Sequence, residues 1–386
     1  MRIPDSQFRI ANSWYTVTVR FWLGVLVVVV AIATPPLRAA QDSRPAFSDF
    51  LDGVRAEALA RDIRPEIVDA ALSNISEPLP VVIERDRTQA ETVLSLETYL
   101  SRLVTPKLVT RGRAAFAKQA MLLEEVGARY GVPPSILAAI WGIESNFGGF
   151  SGVRPTIAAL ATLAWEGRRA ALFRNELFAA LQILNDGDID VGRMRGSWAG
   201  AMGQVQFIPS SYLKFAQDFD GDGRRDIWSS PGDVFASIAN YLQGNGWRAG
   251  ESWGREVLVS KAAAGTIASS VARRTGTCQA IRDMTVVKPV AEWDQLGVRL
   301  PGGAALSADA PDASLVSGTT RHFLVYHNYD ALLAYNCSHS YAVSVGLLAG
   351  QISAAAEPVA NSKRKPSKRA ARAPAKPKRQ RASGVK

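Results

Sequence analysis

Residues 139–148 read Ala-Ile-Trp-Gly-Ile-Glu-Ser-Asn-Phe-Gly, and the acid inside this apolar run, Glu144, organises the reading of everything around it. Pro133 and Pro134 suit the first turn of a helix, where a missing amide hydrogen costs nothing, and Gly148 and Gly149 follow the point where that helix should stop. The stretch therefore predicts a helix over 133–146. A carboxyl group near its end, among Ile140, Trp141, Ile143 and Phe147, is poorly solvated. Burial disfavours its charged form, so the group can stay protonated near neutral pH, which suits a general acid. A helix-terminal Glu facing water is the competing reading, and this stretch alone leaves both open.

Helical spacing continues on either side. Phe47, Phe50, Leu51, Val54 and Ala58, then Leu94, Leu96, Tyr99, Leu100 and Leu103, recur at three- and four-residue intervals, so 46–130 reads as several helices. Downstream, 156–165, 169–186, 209–217 and 231–243 read as helices punctuated by Gly and Pro. Between 250 and 320 the texture changes. Glu-Val-Leu-Val (256–259), Thr-Val-Val-Lys-Pro-Val (285–290), Trp293, Val298, Leu300 and Pro-Gly-Gly (301–303) are short β-rich runs separated by turns. They fit a small inserted sheet, closed by residues 321–326, after which 329–353 reads as a helix pair returning to the main body. The expected class is mainly α (α+β). No fixed-period repeat is visible, which argues against a solenoid.

A chain of 386 residues with 47% hydrophobic content can bury a sizeable core and is not a disordered protein. Residues 21–34 are uncharged and apolar, follow Arg2, Arg9 and Arg20, and precede Pro35-Pro36 and Ala39-Ala40. This pattern is that of an export signal cleaved near residue 40, and fourteen residues fall short of the ~20 that span a bilayer as a helix; an uncleaved anchor is the alternative. No cysteine lies near the end of the apolar run, so a lipid anchor is not supported. The two cysteines, Cys278 and Cys337, belong to the exported part, where oxidising conditions permit a bridge; two packed thiols are the alternative. The net charge of +10 sits in the tail: residues 361–386 hold eleven Lys or Arg and no acid, and removing them leaves −1. Such a tail is expected to be disordered. Contact with anionic cell-envelope material or a purely solubilising role both fit it, and nucleic acid is not the expected partner of an exported chain.

Ser-Trp-Ala-Gly-Ala-Met-Gly-Gln-Val-Gln-Phe-Ile-Pro-Ser-Ser-Tyr (197–212) is rich in small and then polar residues. Gly200 and Gly203 would let the backbone approach a ligand, and Ser197, Gln204 and Gln206 can donate and accept hydrogen bonds as a sugar requires. A tight helix–helix turn is the plainer explanation. In 218–226, Asp218, Asp220, Asp222 and Asp226 take loop positions 1, 3, 5 and 9, Gly223 takes position 6 and the Arg224 carbonyl position 7. That spacing is EF-hand-like and suits a hard cation such as Ca²⁺, although Ser229 replaces the usual position-12 Glu; a solvated acidic loop is the alternative. His322, His327 and His339 lack zinc spacing. There is no phosphate loop after a strand and no Gly-x-Ser-x-Gly elbow, so phosphoryl transfer and serine hydrolysis are poor candidates.

Taken in order, the Glu144 context, the 197–212 segment, Phe-Asp-Gly-Asp-Gly-Arg (219–224), Ile-Ala-Asn-Tyr-Leu (238–242) and Tyr-Asn-Cys-Ser-His-Ser-Tyr (335–341) resemble the membrane-bound lytic murein transglycosylase B family over roughly 46–353. The resemblance implies a lysozyme-like helical core flanked by a helical domain and a small β subdomain. The expected divisions are a signal peptide (1–40), a helical domain (41–130), the catalytic core (131–248), the β-rich subdomain (249–326), returning helices (327–356) and the basic tail (357–386). Activity on peptidoglycan in the periplasm is implied, with the chain acting as a monomer. Glu144 matches the family's single acid/base. Ser197 and Gln206 match residues near the bound sugar and its N-acetyl group, while Tyr99, Tyr241, Tyr335, Asn336 and Tyr341 match groups lining the groove. Asp233 is implied to complete the Ca²⁺ shell.

Ordinary glycosidases use two carboxylates, and no second acid accompanies Glu144 in these motifs. A substrate-assisted route needs one, and it ends in a 1,6-anhydro-muramic product. The rivals are a goose-type lysozyme that hydrolyses the same bond, and a non-catalytic peptidoglycan-binding protein.

Overall fold

The computed structural model describes residues 44–88, 94–307 and 309–354; the expected signal segment and basic tail lie outside the described residues. The chain opens with α1 (Phe47–Ala60), α2 (Pro65–Leu72), α3 (Pro80–Thr88), α4 (Leu96–Leu103), α5 (Pro106–Lys118), α6 (Ala120–Tyr130) and α7 (Pro134–Ser145). Local chemistry sets their starts. Proline stands in the first turn of α2, α5 and α7. Ser95 and Thr105 cap α4 and α5 by accepting the Thr98 and Leu108 amides at 3.2 and 3.3 Å.

Next come β1 (Arg154–Pro155), the hairpin of α8 (Thr156–Glu166) and α9 (Ala170–Asp186), and β2 (Arg195–Gly196), which pairs antiparallel with β1. Then follow α10 (Pro209–Phe215) and α11 (Pro231–Gly244). These helices begin and end within two residues of the positions expected from the sequence.

A four-stranded antiparallel sheet is built from β3 (Gly254–Val259), β4 (Val298–Arg299), β5 (Ser314–Ser317) and β6 (His322–Val325), in the order β4-β3-β6-β5. Register runs from Gly254 opposite Val325 to Val257 opposite His322. The sheet has its own apolar core around the fully buried Trp293, whose indole N–H donates to the Ala313 carbonyl at 2.9 Å. Three short helices share this region: α12 (Lys261–Ser270), α13 (Gln279–Asp283) and α14 (Val290–Gln295). The strand expected over 285–290 does not form. Thr285 and Lys288 make only isolated bridges, and Pro289, with no amide hydrogen, starts α14 instead.

The chain returns through α15 (Asn328–Tyr335) and α16 (His339–Ser353). Helix α7 is buried without a break from Ile136 to Ser145, as expected of a helix apolar on all sides, and α5, α6, α11 and α16 pack around it. Two ties join distant segments. A disulfide links Cys278, just before α13, to Cys337 between α15 and α16, with Cα atoms 6.4 Å apart, which decides the choice left open by the sequence. Glu97 on α4 accepts the backbone amides of Thr320 and Arg321 at 2.7 and 3.0 Å, fastening the β5–β6 turn to the helical part. Among the described residues no helix is long and apolar enough to cross a membrane.

Candidate active site

Glu144 lies in the last turn of α7 and is 8% exposed. The Tyr341 hydroxyl, from the first turn of α16, donates to its Oε1 at 2.7 Å. Burial, and then the neighbouring Glu144 charge, push the Tyr341 hydroxyl well above its ordinary pKa, so it remains a donor. Tyr335 stacks on Tyr341 with ring centroids 6.2 Å apart, and its hydroxyl donates to the Val205 carbonyl at 2.8 Å. Tyr241 packs against Tyr335 at 4.7 Å and donates to the Ala334 carbonyl at 2.7 Å. Tyr99, on α4, is near enough to Tyr341 to influence it electrostatically. Four separate helices thus supply Tyr99, Tyr241, Tyr335 and Tyr341. Asn336 is half-buried in the turn after Tyr335, next to bridged Cys337. Phe207, not singled out from the sequence, packs against both Tyr241 and Tyr335, at 5.3 and 5.7 Å. Only its place one residue after Gln206 could have marked it.

The 197–208 segment is a folded loop. Ser197 Oγ accepts the Ala199 and Ala201 amides at 3.2 and 3.1 Å, which leaves its own proton to donate. Gln206 is half-buried, with a left-handed backbone (φ 52°), and its side-chain amide donates to the Gly203 carbonyl at 2.8 Å. Gln204 follows the plainer of its two sequence readings, the tight turn. Its Oε1 accepts the Trp141 indole N–H at 2.7 Å and its amide donates to the Trp228 carbonyl at 2.8 Å, so it ties the loop to α7. Gly200 and Gly203 are likewise turned inward. A Cβ there would come within 2.4 Å of Leu160 and 2.7 Å of Ile227, so their smallness lets the loop close on the core rather than on a ligand.

One oxygen from each of Asp218, Asp220 and Asp222 lies within 4.8 Å of the others, and all three residues are exposed. Asp218 accepts the Gly221 and Gly223 amides at 2.7 and 2.9 Å, and Asp222 accepts the Arg224 amide at 2.8 Å, which winds the loop around this cluster. An all-oxygen set of this kind fits Ca²⁺. Asp233 is not part of the cluster. It is fully buried, and its two oxygens accept the Phe219 and Asp226 amides at 2.8 and 2.7 Å, so it holds the ends of the loop to α11.

The other buried acids among the described residues serve structure. Asp86 pairs with Arg168 and Arg169, Asp188 with Arg225, and Glu176 accepts the Ser210 amide and hydroxyl. Glu144 accepts the Tyr341 hydroxyl beside the cluster of Tyr241, Tyr335 and Phe207.

The mainly helical, lysozyme-like core is of the lytic transglycosylase class of folds. Residues 46–350 match the Transglycosylase SLT domain family, and the chain belongs to it. It is 39% identical over 154 residues to membrane-bound lytic murein transglycosylase B of Escherichia coli K12, a match covering 40% of this chain and 42%, less than half, of that relative. The fold is similar to that of SltB3 from Pseudomonas aeruginosa in complex with NAG-anhNAM-pentapeptide, with TM-score 0.72 and 42% identity over 80% of this chain and 79% of that one. It is also similar to Escherichia coli Slt35 in complex with calcium, with TM-score 0.63 and 27% identity over 81% and 94% of the two chains.

Proposed function

We propose that this chain is a lytic murein transglycosylase that cuts the β-1,4 bond between N-acetylmuramic acid and N-acetylglucosamine with Glu144 as its acid and base. The observation that carries the reading is a single buried carboxyl at the end of α7, held by Tyr341, while every other buried acid among the described residues is committed to structure. Protonated Glu144 gives its proton to the glycosidic oxygen as the bond to the muramic anomeric carbon breaks. The N-acetyl carbonyl oxygen of the same sugar attacks that carbon, so no second carboxylate is needed. The Glu144 carboxylate then takes the proton of the C6 hydroxyl, whose oxygen displaces the N-acetyl oxygen and closes the 1,6-anhydro ring. Water is not consumed. Attack within one molecule gains from high effective concentration, and Ser197 and Gln206 are assigned to hold the reacting sugar. Tyr99, Tyr241, Tyr335, Asn336 and Tyr341 are assigned to line the groove.

On this reading the enzyme works as a monomer in the periplasm after export by residues 1–40, and the basic tail touches anionic envelope material. The domain divisions expected from the sequence are retained; the apolar core around Trp293 on one side of the sheet supports the β-rich subdomain, whose Val316, Phe323 and Val325 join the core of the helices. Asp218, Asp220 and Asp222, with the Arg224 carbonyl, would hold a structural Ca²⁺ that supplies only cross-linking of the loop. The test is digestion of purified sacculi by the parent and by Glu144→Gln. Parent products lighter by one water than hydrolysis products, and a loss of at least a hundredfold in the variant, are expected. Reducing muramic ends would overturn the anhydro route, and an unimpaired variant would overturn the assignment of Glu144.

A further inference from the structure

We propose that the groove between α5 and the turn after Glu144 seats the peptide stem of the substrate, with Arg111 and Lys118 holding its free carboxylates; this rests on the murein-cleaving reading above. An open cavity of about 530 Å³ has Arg111, Ala114, Ala115 and Lys118 along one side and Asn146 and Phe147 along the other. Positions 111 and 118 are two turns apart and share a helix face, so the two side chains leave the helix about 10 Å apart along its axis, over a low alanine floor. About three residues of extended peptide cover that distance. The spacing suits a chain carrying several carboxylates better than one compact anion.

The charge of the groove is unopposed. Helix α5 carries no Asp or Glu, and no acidic side chain lines the cavity. Arg113, on another face, donates to the Gln351 carbonyl at 3.0 Å, whereas Arg111 and Lys118 are exposed and make no ion pair or hydrogen bond among the described residues.

The groove is also fixed to the acid. Asn146 and Phe147 are consecutive non-glycine residues in the left-handed region, at φ 54° and 58°, a costly backbone that is kept chiefly where function needs it. The turn swings the Phe147 ring between α5 and α7. A Cβ on Gly142 would come within 2.4 Å of that ring and one on Gly112 within 3.0 Å, so both glycines exist in the space that Phe147 needs. The groove wall therefore begins two residues after Glu144 and is wedged against its helix. A peptide stem leaves the muramic sugar whose glycosidic oxygen Glu144 would protonate, so it must run out from this same neighbourhood.

The test compares the full chain with Arg111→Glu/Lys118→Glu and Arg111→Gln/Lys118→Gln on three substrates: stem-bearing glycan strands, the same strands with amidated stem carboxylates, and stem-free strands prepared with an amidase. Both side chains are exposed, and thermal melts check that the variants fold. The expected result is a loss in kcat/KM on stem-bearing strands of roughly tenfold for the Glu pair and roughly threefold for the Gln pair, the scale of two surface ion pairs. Turnover of stem-free strands should stay within twofold, and amidation should reproduce the Gln-pair loss in the parent. Equal losses on all substrates, or none, would overturn the proposal. Calorimetric titration with a disaccharide-tetrapeptide separates the two claims. Binding that needs Arg111 and Lys118 in a chain that cleaves nothing would support the groove and sink the enzymatic reading; no such binding to an active parent would sink the groove alone.

Discussion

A carboxyl group placed one turn after Trp141 and Ile140 is removed from water by its own helix, and the Tyr341 hydroxyl is the donor brought to it from nearly two hundred positions away. A hydrogen bond to a charged group contributes about 1.5–3 kcal/mol. Tyr341→Phe should therefore lower kcat roughly ten- to a hundredfold, with KM and glycan binding little changed. Steady-state kinetics on glycan oligomers would decide this, and a kcat within twofold of the parent would remove the phenol from the chemistry. At this scale the sequence marked Glu144 and the tyrosines through their motifs. It left Gln204 open between a sugar contact and a tight turn, because an amide that can bind a sugar is chemically the same amide that can bind an indole N–H and a carbonyl.

Between elements, Glu97 shows how one side chain can set a relative position. Burial is the largest influence and pushes its carboxyl upward, but backbone N–H donors, first that of Thr320, then its own and those of Arg321 and Thr319, together outweigh it and hold the pKa down to about 2 from an ordinary 4.5. A depressed folded value means that its contribution is fully present above pH 4.5 and is lost as the pH falls through about 2. Acid unfolding followed by circular dichroism should show this directly. Glu97→Gln should flatten the pH dependence of stability between about 4.5 and 2, and an unchanged slope there would refute the tie. Helix boundaries were legible because prolines, capping hydroxyls and glycines act locally. The strand expected over 285–290 was not, since Pro289 can end a β run or start a helix, and packing around Trp293 favoured the helix.

Over the whole molecule, the Cys278–Cys337 bridge joins segments 59 positions apart, linking the sheet region to the turn that carries Tyr335 and Asn336. Cross-linking a loop of that length stabilises by roughly 3–4.7 kcal/mol, chiefly by restricting the unfolded chain. Cys278→Ser/Cys337→Ser should lower the unfolding free energy by about that amount in a urea titration, and a difference below about 1 kcal/mol would show that the bridge is energetically idle. The acidic loop makes a second prediction. If Asp218, Asp220 and Asp222 hold Ca²⁺, adding the ion should raise Tm over that in chelator, because a ligand that binds only the folded form stabilises it. Asp218→Asn/Asp222→Asn should abolish that difference, and equal Tm values for the parent with calcium and with chelator would dismiss the site.

The sequence by itself determined the helical character of the chain, the ends of its central helices, the inserted sheet and the acid at the end of α7, since periodicity, caps and breakers are properties of neighbouring residues. Only the tertiary structure decided that the two cysteines are bridged, that Gly200 and Gly203 face the core, that Asp233 braces its loop, and that Phe147 fastens a basic groove beside Glu144. Each of those depends on which distant surfaces meet, and hydrogen-bonding capacity or smallness in a side chain does not specify its partner.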